Sequence, residues 1–154
     1  MTQIAAGDQA PTFEMSADDG NMVSSQALVG SRYVLYFYPK DDTPGCTTQA
    51  CGLRDSWSTV AETGVEIFGV SPDSVTSHVK FREKFALPYR LLSDEGHQVA
   101  EAFGVWIEKS FAGRTYFGNE RTTFVVGADG RIEHVLPQVK PDAHVDQLIK
   151  ALAA

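Results

Sequence analysis

The sequence predicts an α/β sandwich, a central mixed sheet flanked by helices, formed by one domain over residues 1–154. Three observations point there. Two apolar runs, "RYVLYFY" (32–38) and "VEIFGVS" (65–71), suit strands buried on both faces, and a segment of helical periodicity separates them. That order makes a βαβ crossover, whose strands are parallel. Near the end, "RTTFVV" and "RIEHVL" flank "GADG" (127–130), a hairpin signal that adds antiparallel strands.

The elements follow in order. The first 30 residues are polar and turn-rich, and "SADDGN" (16–21) reads as a tight turn between short extended pieces. Pro39 closes the first central strand. After "TPG", Ala50, Leu53, Trp57, Val60 and Ala61 fall at helical spacing and predict a helix over about 45–62. Gly64 is its C-cap before the second strand. "SPDSVTSHVKFREKF" (71–85) reads as a helix opened by Ser or Asp, 88–92 as a short extended piece, and "DEGHQVAEAFG" (94–104) as a short helix. Trp106 to Asn119 reads as a long loop. Val145, Leu148, Ile149 and Leu152 mark a closing amphipathic helix. Trp57, Phe81, Phe85 and Phe103 are expected in the core. Trp106, Phe111, Tyr116 and Phe117 are read as core or loop packing, with a lining of the substrate approach as the alternative. The four histidines (His78, His97, His134, His144) are expected at the surface, and Lys40, Asp41 and Asp42 in a solvated loop.

Composition narrows the function. The chain has 43% hydrophobic and 21% charged residues, ordinary for a soluble globular protein. Its formal charge of −7 argues against nucleic acid or an anionic membrane as the main partner. "MTQIAAGDQAPTFEM" lacks a basic n-region and an apolar h-region, and the apolar runs of about six residues fall far short of a membrane span. A cytoplasmic location is the expectation. Two cysteines in such a compartment point to redox or catalytic use rather than a permanent staple.

Both cysteines lie in "YFYPKDDTPGCTTQACGLRD" (36–55). Cys46 is expected in the first turn of a helix, where backbone N–H groups are unpaired and the dipole favours an anion. A thiol with an ordinary pKa near 8.5 is only about 3% thiolate at pH 7, and a site that lowered it to roughly 6 would raise this to about 90%. Pro44 suits a helix start, Gly45 permits close approach, and the Thr43 hydroxyl sits beside the thiol, able to donate to a thiolate or orient a bound oxygen. In an ideal helix the Cα atoms of Cys46 and Cys51 stand about 8.6 Å apart on different faces, beyond the disulfide limit of about 7 Å. A bond between them therefore requires the first turns to unwind. A closed zinc site is disfavoured because the histidines show no paired spacing, and a C-x-x-C dithiol is absent.

"FYPKDDTPGC" resembles the peroxiredoxin signature Pro-x-x-x-Thr-x-x-Cys, met by Pro39, Thr43 and Cys46. The second cysteine five residues on, followed by "GLRD", resembles the bacterioferritin comigratory protein (PrxQ) group. "GDQAPTF", "GVSPDS" and "ERTTFVV" extend the likeness over nearly the whole chain. The resemblance implies a thioredoxin-like fold and a peroxidatic Cys46 that attacks hydrogen peroxide or an organic hydroperoxide to give a sulfenic acid. It further implies that Cys51 resolves this acid as an intramolecular disulfide, which a thioredoxin-type protein reduces. Thr43 would hold the peroxide, Pro39 would shield the thiolate from water, and Arg121 would stabilise the thiolate and polarise the peroxide. No metal, haem or flavin is required, and a monomer is expected. Two other readings remain: a thiol–disulfide oxidoreductase, against which the missing C-x-x-C and Thr43 count, and a non-catalytic peroxide sensor using the same switch.

Overall fold

The turn at 16–21 joins β1 (Glu14–Ala17) to β2 (Met22–Ser24) as an antiparallel pair in the computed structural model, which describes residues 1–154. Helix α1 (Ser25–Leu28) leads to β3 (Tyr33–Phe37), buried at all its positions. Helices α2 (Pro44–Asp55) and α3 (Trp57–Ala61) cross over to β4 (Glu66–Ser71), which lies parallel to β3. Helix α4 (Val75–Phe85) returns the chain to β5 (Arg90–Ser93), again parallel. After α5 (Gln98–Ala102) come β6 (Trp106–Phe111) and β7 (Arg114–Asn119), then β8 (Thr122–Val126), β9 (Ile132–Leu136) and α6 (His144–Ala153). The seven-stranded mixed sheet has the order β2-β1-β5-β4-β3-β8-β9, with β8 antiparallel to β3, and β6 and β7 form a separate ribbon. No helix is long and apolar enough to cross a membrane.

The two-residue period of β3 splits the core. Tyr33, Leu35 and Phe37 enter one cluster with Phe103, Phe124 and the N-terminal residues Phe13 and Met15. Val34, Tyr36 and Tyr38 enter the other with Cys46, Leu53, Phe81 and Leu148, under α2, α4 and α6. A strand covered on both faces reads as an unbroken apolar run, so its sequence hides this division. Each fully buried Phe or Leu contributes about 1.5–3 kcal/mol, and the cluster containing Cys46 therefore fixes the site to the sheet.

Six expectations need correction. The helix expected over 45–62 is broken at Ser56, where the backbone leaves helical geometry between α2 and α3; Gly52, Ser56 and Ser58 are weak helix formers. The segment 106–119 is a hairpin rather than a loop. Its turn residues Ala112 and Gly113 both have positive φ, as a type I′ turn demands, but Ala replaces the Asn or Asp that advertises such a turn. Phe111, Tyr116 and Phe117 are exposed on this ribbon rather than packed in core or loop, and Trp57 and Phe85 are only partly buried against the core. His78 and His144 are fully buried rather than at the surface, and Asp41 is buried rather than solvated. Apolar periodicity carries no signal for polar groups that satisfy one another inside.

Candidate active site

Helix α2 begins where the loop from β3 turns upward. Asp42 takes the left-handed conformation (φ +55), Thr43 is the extended N-cap and Pro44 the first helical residue. Cys46 thus lies in the first turn, as the sequence predicts. The N–H groups of Gly45 and Cys46 have no hydrogen-bond acceptor in the fold, and they point along the positive end of the helix. The thiol is 1% exposed and free. Tyr36 lies on its inner side with its phenol held well protonated by burial first, then by the neighbouring tyrosines and Cys46. Tyr89 donates to the Ala50 carbonyl (3.3 Å), so the 2.7 Å contact between the two hydroxyls has Tyr36 donating to Tyr89.

Arg121 reaches this turn from the connection between β7 and β8. Its Nη2 lies 2.7 Å from where a Cβ on Gly45 would stand, so the glycine serves to leave room for the guanidinium rather than for backbone freedom. Its Nη1 donates to Gln49 Oε1 (2.8 Å), and the fully buried Gln49 passes the contact on through Nε2 to His144 Nδ1 (3.1 Å). Because the Gln49 amide nitrogen donates, His144 Nδ1 accepts, and its Nε2–H donates to Thr123 Oγ1 (2.8 Å). The ring is neutral: burial first, and the Arg121 charge second, push its pKa down to about 4. Lys109 on β6 adds a second cation to this side, its ammonium donating to the Asn119 carbonyl. Burial, then Arg121, lowers its pKa, while Cys46 and Glu120 pull the other way.

Pro39 is half-buried two residues beyond β3, Thr43 caps α2, Cys46 lies in its first turn, and Arg121 lies against Gly45 beside the thiol residue. The Thr43 hydroxyl, expected beside the thiol as a donor, gives its hydrogen to the Lys40 carbonyl (2.9 Å) and is left as an acceptor. Cys51 sits further along the same unbroken helix, half-exposed and free, with Arg54 and Tyr89 nearby. The spacing argument against a bond in the folded helix therefore holds. Sequence reasoning missed Gln49, His144, Lys109, Asp41 and His78. Gln49 carried a faint signal, falling on the same helical face as Cys46 and Leu53. Asp41, Asp73 and His78 also come within 4.8 Å of one another, but their polar atoms are engaged with each other and with Tyr38, Ser71 and Ser77.

Known proteins share the fold over nearly the whole chain. The AhpC/TSA family model matches residues 6–135. The chain is 47% identical to peroxiredoxin Bcp of Escherichia coli strain K12 over 152 residues, covering 99% of this chain and 97% of that one. It is 46% identical to peroxiredoxin Bcp of Bacillus subtilis over 149 residues (97% and 95%). Among solved structures, Xanthomonas campestris peroxiredoxin Q superposes with a TM-score of 0.88 at 33% identity, covering 99% of this chain and 96% of that one. The Xanthomonas campestris bacterioferritin comigratory protein, studied for alkyl peroxide reduction, superposes with a TM-score of 0.87 at 32% identity (99% and 98%). These likenesses establish the thioredoxin-like peroxiredoxin fold that the sequence implied. The chain belongs to the AhpC/TSA family, in its Bcp/PrxQ group of peroxiredoxins.

Proposed function

We propose that the chain is a thiol-dependent peroxidase in which Cys46 is the peroxidatic and Cys51 the resolving cysteine. The observation that carries this reading is a buried thiol in the first turn of a helix, with unpaired N–H groups behind it and a guanidinium against the adjacent Gly45. The thiolate attacks one peroxide oxygen in line with the O–O bond, and the bond electrons leave on the other oxygen, which takes up a proton. Cys46 becomes a sulfenic acid, and water or an alcohol departs. The protein's work is alignment and stabilisation of charge as it moves from sulfur to the leaving oxygen.

Arg121, fixed by Gln49, supplies positive charge at that oxygen, and the helix N-terminus supplies it at sulfur. Thr43, its hydrogen committed to Lys40, accepts a hydrogen bond from the peroxide O–H. Pro39 excludes water from the thiolate. Cys51 then attacks the sulfenic sulfur, expelling water and closing the intramolecular disulfide as the first turns of α2 unwind. A thioredoxin-type protein returns both thiols. Peroxides and a thiol reductant are the partners the family implies. Organic hydroperoxides are included because of the alkyl peroxide activity of the Xanthomonas relative. We read the protein as a monomeric, single-domain cytoplasmic enzyme with no nucleic-acid or membrane partner.

The test is peroxide consumption with mass spectrometry of the cysteines. Cys46→Ser abolishes consumption, and Cys51→Ser accumulates a sulfenic acid on residue 46 after one turnover. Peroxidase activity surviving in Cys46→Ser overturns the assignment.

A further inference from the structure

We propose that His78 is a positioning residue for Cys46: a buried imidazolium that clasps Asp41 and so fixes the Pro39–Thr43 loop from which α2 starts. The proposal takes from the preceding reading only that Cys46 is the nucleophile. The His78 ring is fully buried, and both its nitrogens are occupied. Nε2 lies 2.9 Å from the Leu92 carbonyl, an oxygen that can only accept, so Nε2 carries a hydrogen. Nδ1 lies 2.7 Å from Asp41 Oδ2. That carboxylate also takes Ser77 Oγ on Oδ2 (2.8 Å) and Tyr38 OH on Oδ1 (2.5 Å), with donors on both oxygens as an ionised acceptor has. With the Asp41 carboxylate ionised, Nδ1 carries a hydrogen as well, and the ring is cationic.

The surrounding charges favour the same proton count. Asp73, from the β4–α4 loop, accepts from the Asp41 backbone N–H (2.8 Å) and from Ser71 Oγ (2.6 Å) through Oδ2. Asp41, Asp73 and His78 all lie within 4.8 Å of one another. A cationic ring offsets the two carboxylates that meet here, whose pairing low dielectric otherwise disfavours. The groups facing the ring come from every element around it: Tyr38 after β3, Asp41 in the loop, Asp73 before α4, Ser77 on α4 and Leu92 on β5.

The clasp bears on the reaction through the chain. Asp41 is five residues before Cys46, and only Asp42 separates it from the Thr43 cap. Its side chain and its backbone N–H are both tied to the α4 end of the molecule, which restrains the loop against shifting when peroxide enters. A 1 Å displacement of a reacting group can cost on the order of a hundredfold in rate. The upstream side of Cys46 is thus held rigid, while the helix downstream unwinds for resolution.

The test uses full-length reduced protein and two readouts. In nitrogen-15 spectra at neutral pH, both ring nitrogens of His78 carry hydrogens; a bare nitrogen overturns the proposal. In single-turnover oxidation by hydrogen peroxide, counted per folded molecule, His78→Leu slows the reaction by roughly tenfold to a hundredfold. His78→Asn, which restores a donor to Asp41 while filling less space, recovers to within about threefold of the wild type. A wild-type rate in His78→Leu, or no advantage of Asn over Leu, assigns the residue to packing alone and overturns the proposal. Where His78→Leu does not fold, the wild-type spectra and the His78→Asn rate decide it. Failure of Cys46 to react with peroxide in the wild type would sink the peroxidase reading, whereas the ring spectra judge the clasp on their own.

Discussion

His78 and His144 are equally buried, and both have both ring nitrogens hydrogen-bonded, yet they carry different charges. His78 faces a carboxylate and a carbonyl, which demand two protons. His144 faces an amide donor and a hydroxyl, which require only one, and the nearby Arg121 further opposes a second. Burial alone would leave both neutral; the partners decide the proton count. The two rings hold opposite sides of one nucleophile. One grips the chain five residues before Cys46, and the other grips Gln49, three residues after it. The upstream tether is ionic and joins the loop to α4. The downstream tether is a neutral relay through α6 and β8 that ends on Arg121, and helix unwinding must break it.

The downstream tether can be cut at several points. The largest effect belongs to Arg121→Met, which removes the cation the relay holds; single-turnover oxidation of Cys46 slows by about 10²–10³-fold. Arg121→Lys recovers only part of this, because a single ammonium cannot both bond Gln49 and face the peroxide.

Acid titration of stability addresses the neutral ring directly. His144 has a folded pKa of about 4 against an ordinary 6.5. Between those values the unfolded chain binds a proton that the native ring refuses, so stability falls as pH drops from 6.5 toward 4 and is unaffected by this group above that range. The full difference amounts to about 3 kcal/mol. Denaturant unfolding at pH 7, 5.5 and 4.5 reads it, with His144→Asn flattening the slope. An unchanged slope in that variant shows that His144 is not the titrating group.

Gln49→Leu leaves Arg121 Nη1 and His144 Nδ1 without their partner, at a cost of about 1–3 kcal/mol in stability and about tenfold in peroxide reactivity. Gly45→Ala has the smallest effect. Its methyl must displace Arg121 Nη2, the far end of a flexible side chain, and the reaction slows by roughly threefold to tenfold with stability changed by less than about 1 kcal/mol.

What the sequence discloses follows from what each kind of residue leaves in a pattern. Strands β3 and β4 are legible because covering both faces produces unbroken apolar runs. The start of α2 is legible because Pro44 and Thr43 have positional preferences and Cys46 sits at a fixed offset from them. The β6–β7 ribbon is not, because its faces are largely exposed and its type I′ turn uses Ala112 where Asn or Asp would signal it. His78, Asp41, Gln49 and His144 are the deeper omission. Their place inside the molecule depends on mutual hydrogen bonding between residues up to 95 positions apart, which no local period records.

Cys46 reacts within a rigid frame, and Cys51 joins it only after α2 unwinds. Trp57 begins α3 directly after α2 ends and packs against Tyr89 (ring centroids 5.7 Å apart), so its fluorescence reports that unwinding. The decisive measurement is stopped-flow fluorescence of Trp106→Phe protein mixed with hydrogen peroxide, with rapid-quench mass spectrometry of the cysteines. A first step, with a rate proportional to peroxide, yields the Cys46 sulfenic acid. A peroxide-independent fluorescence phase then accompanies disulfide formation and disappears in Cys51→Ser. Complete Cys46–Cys51 bond formation with no change in Trp57 fluorescence would contradict it.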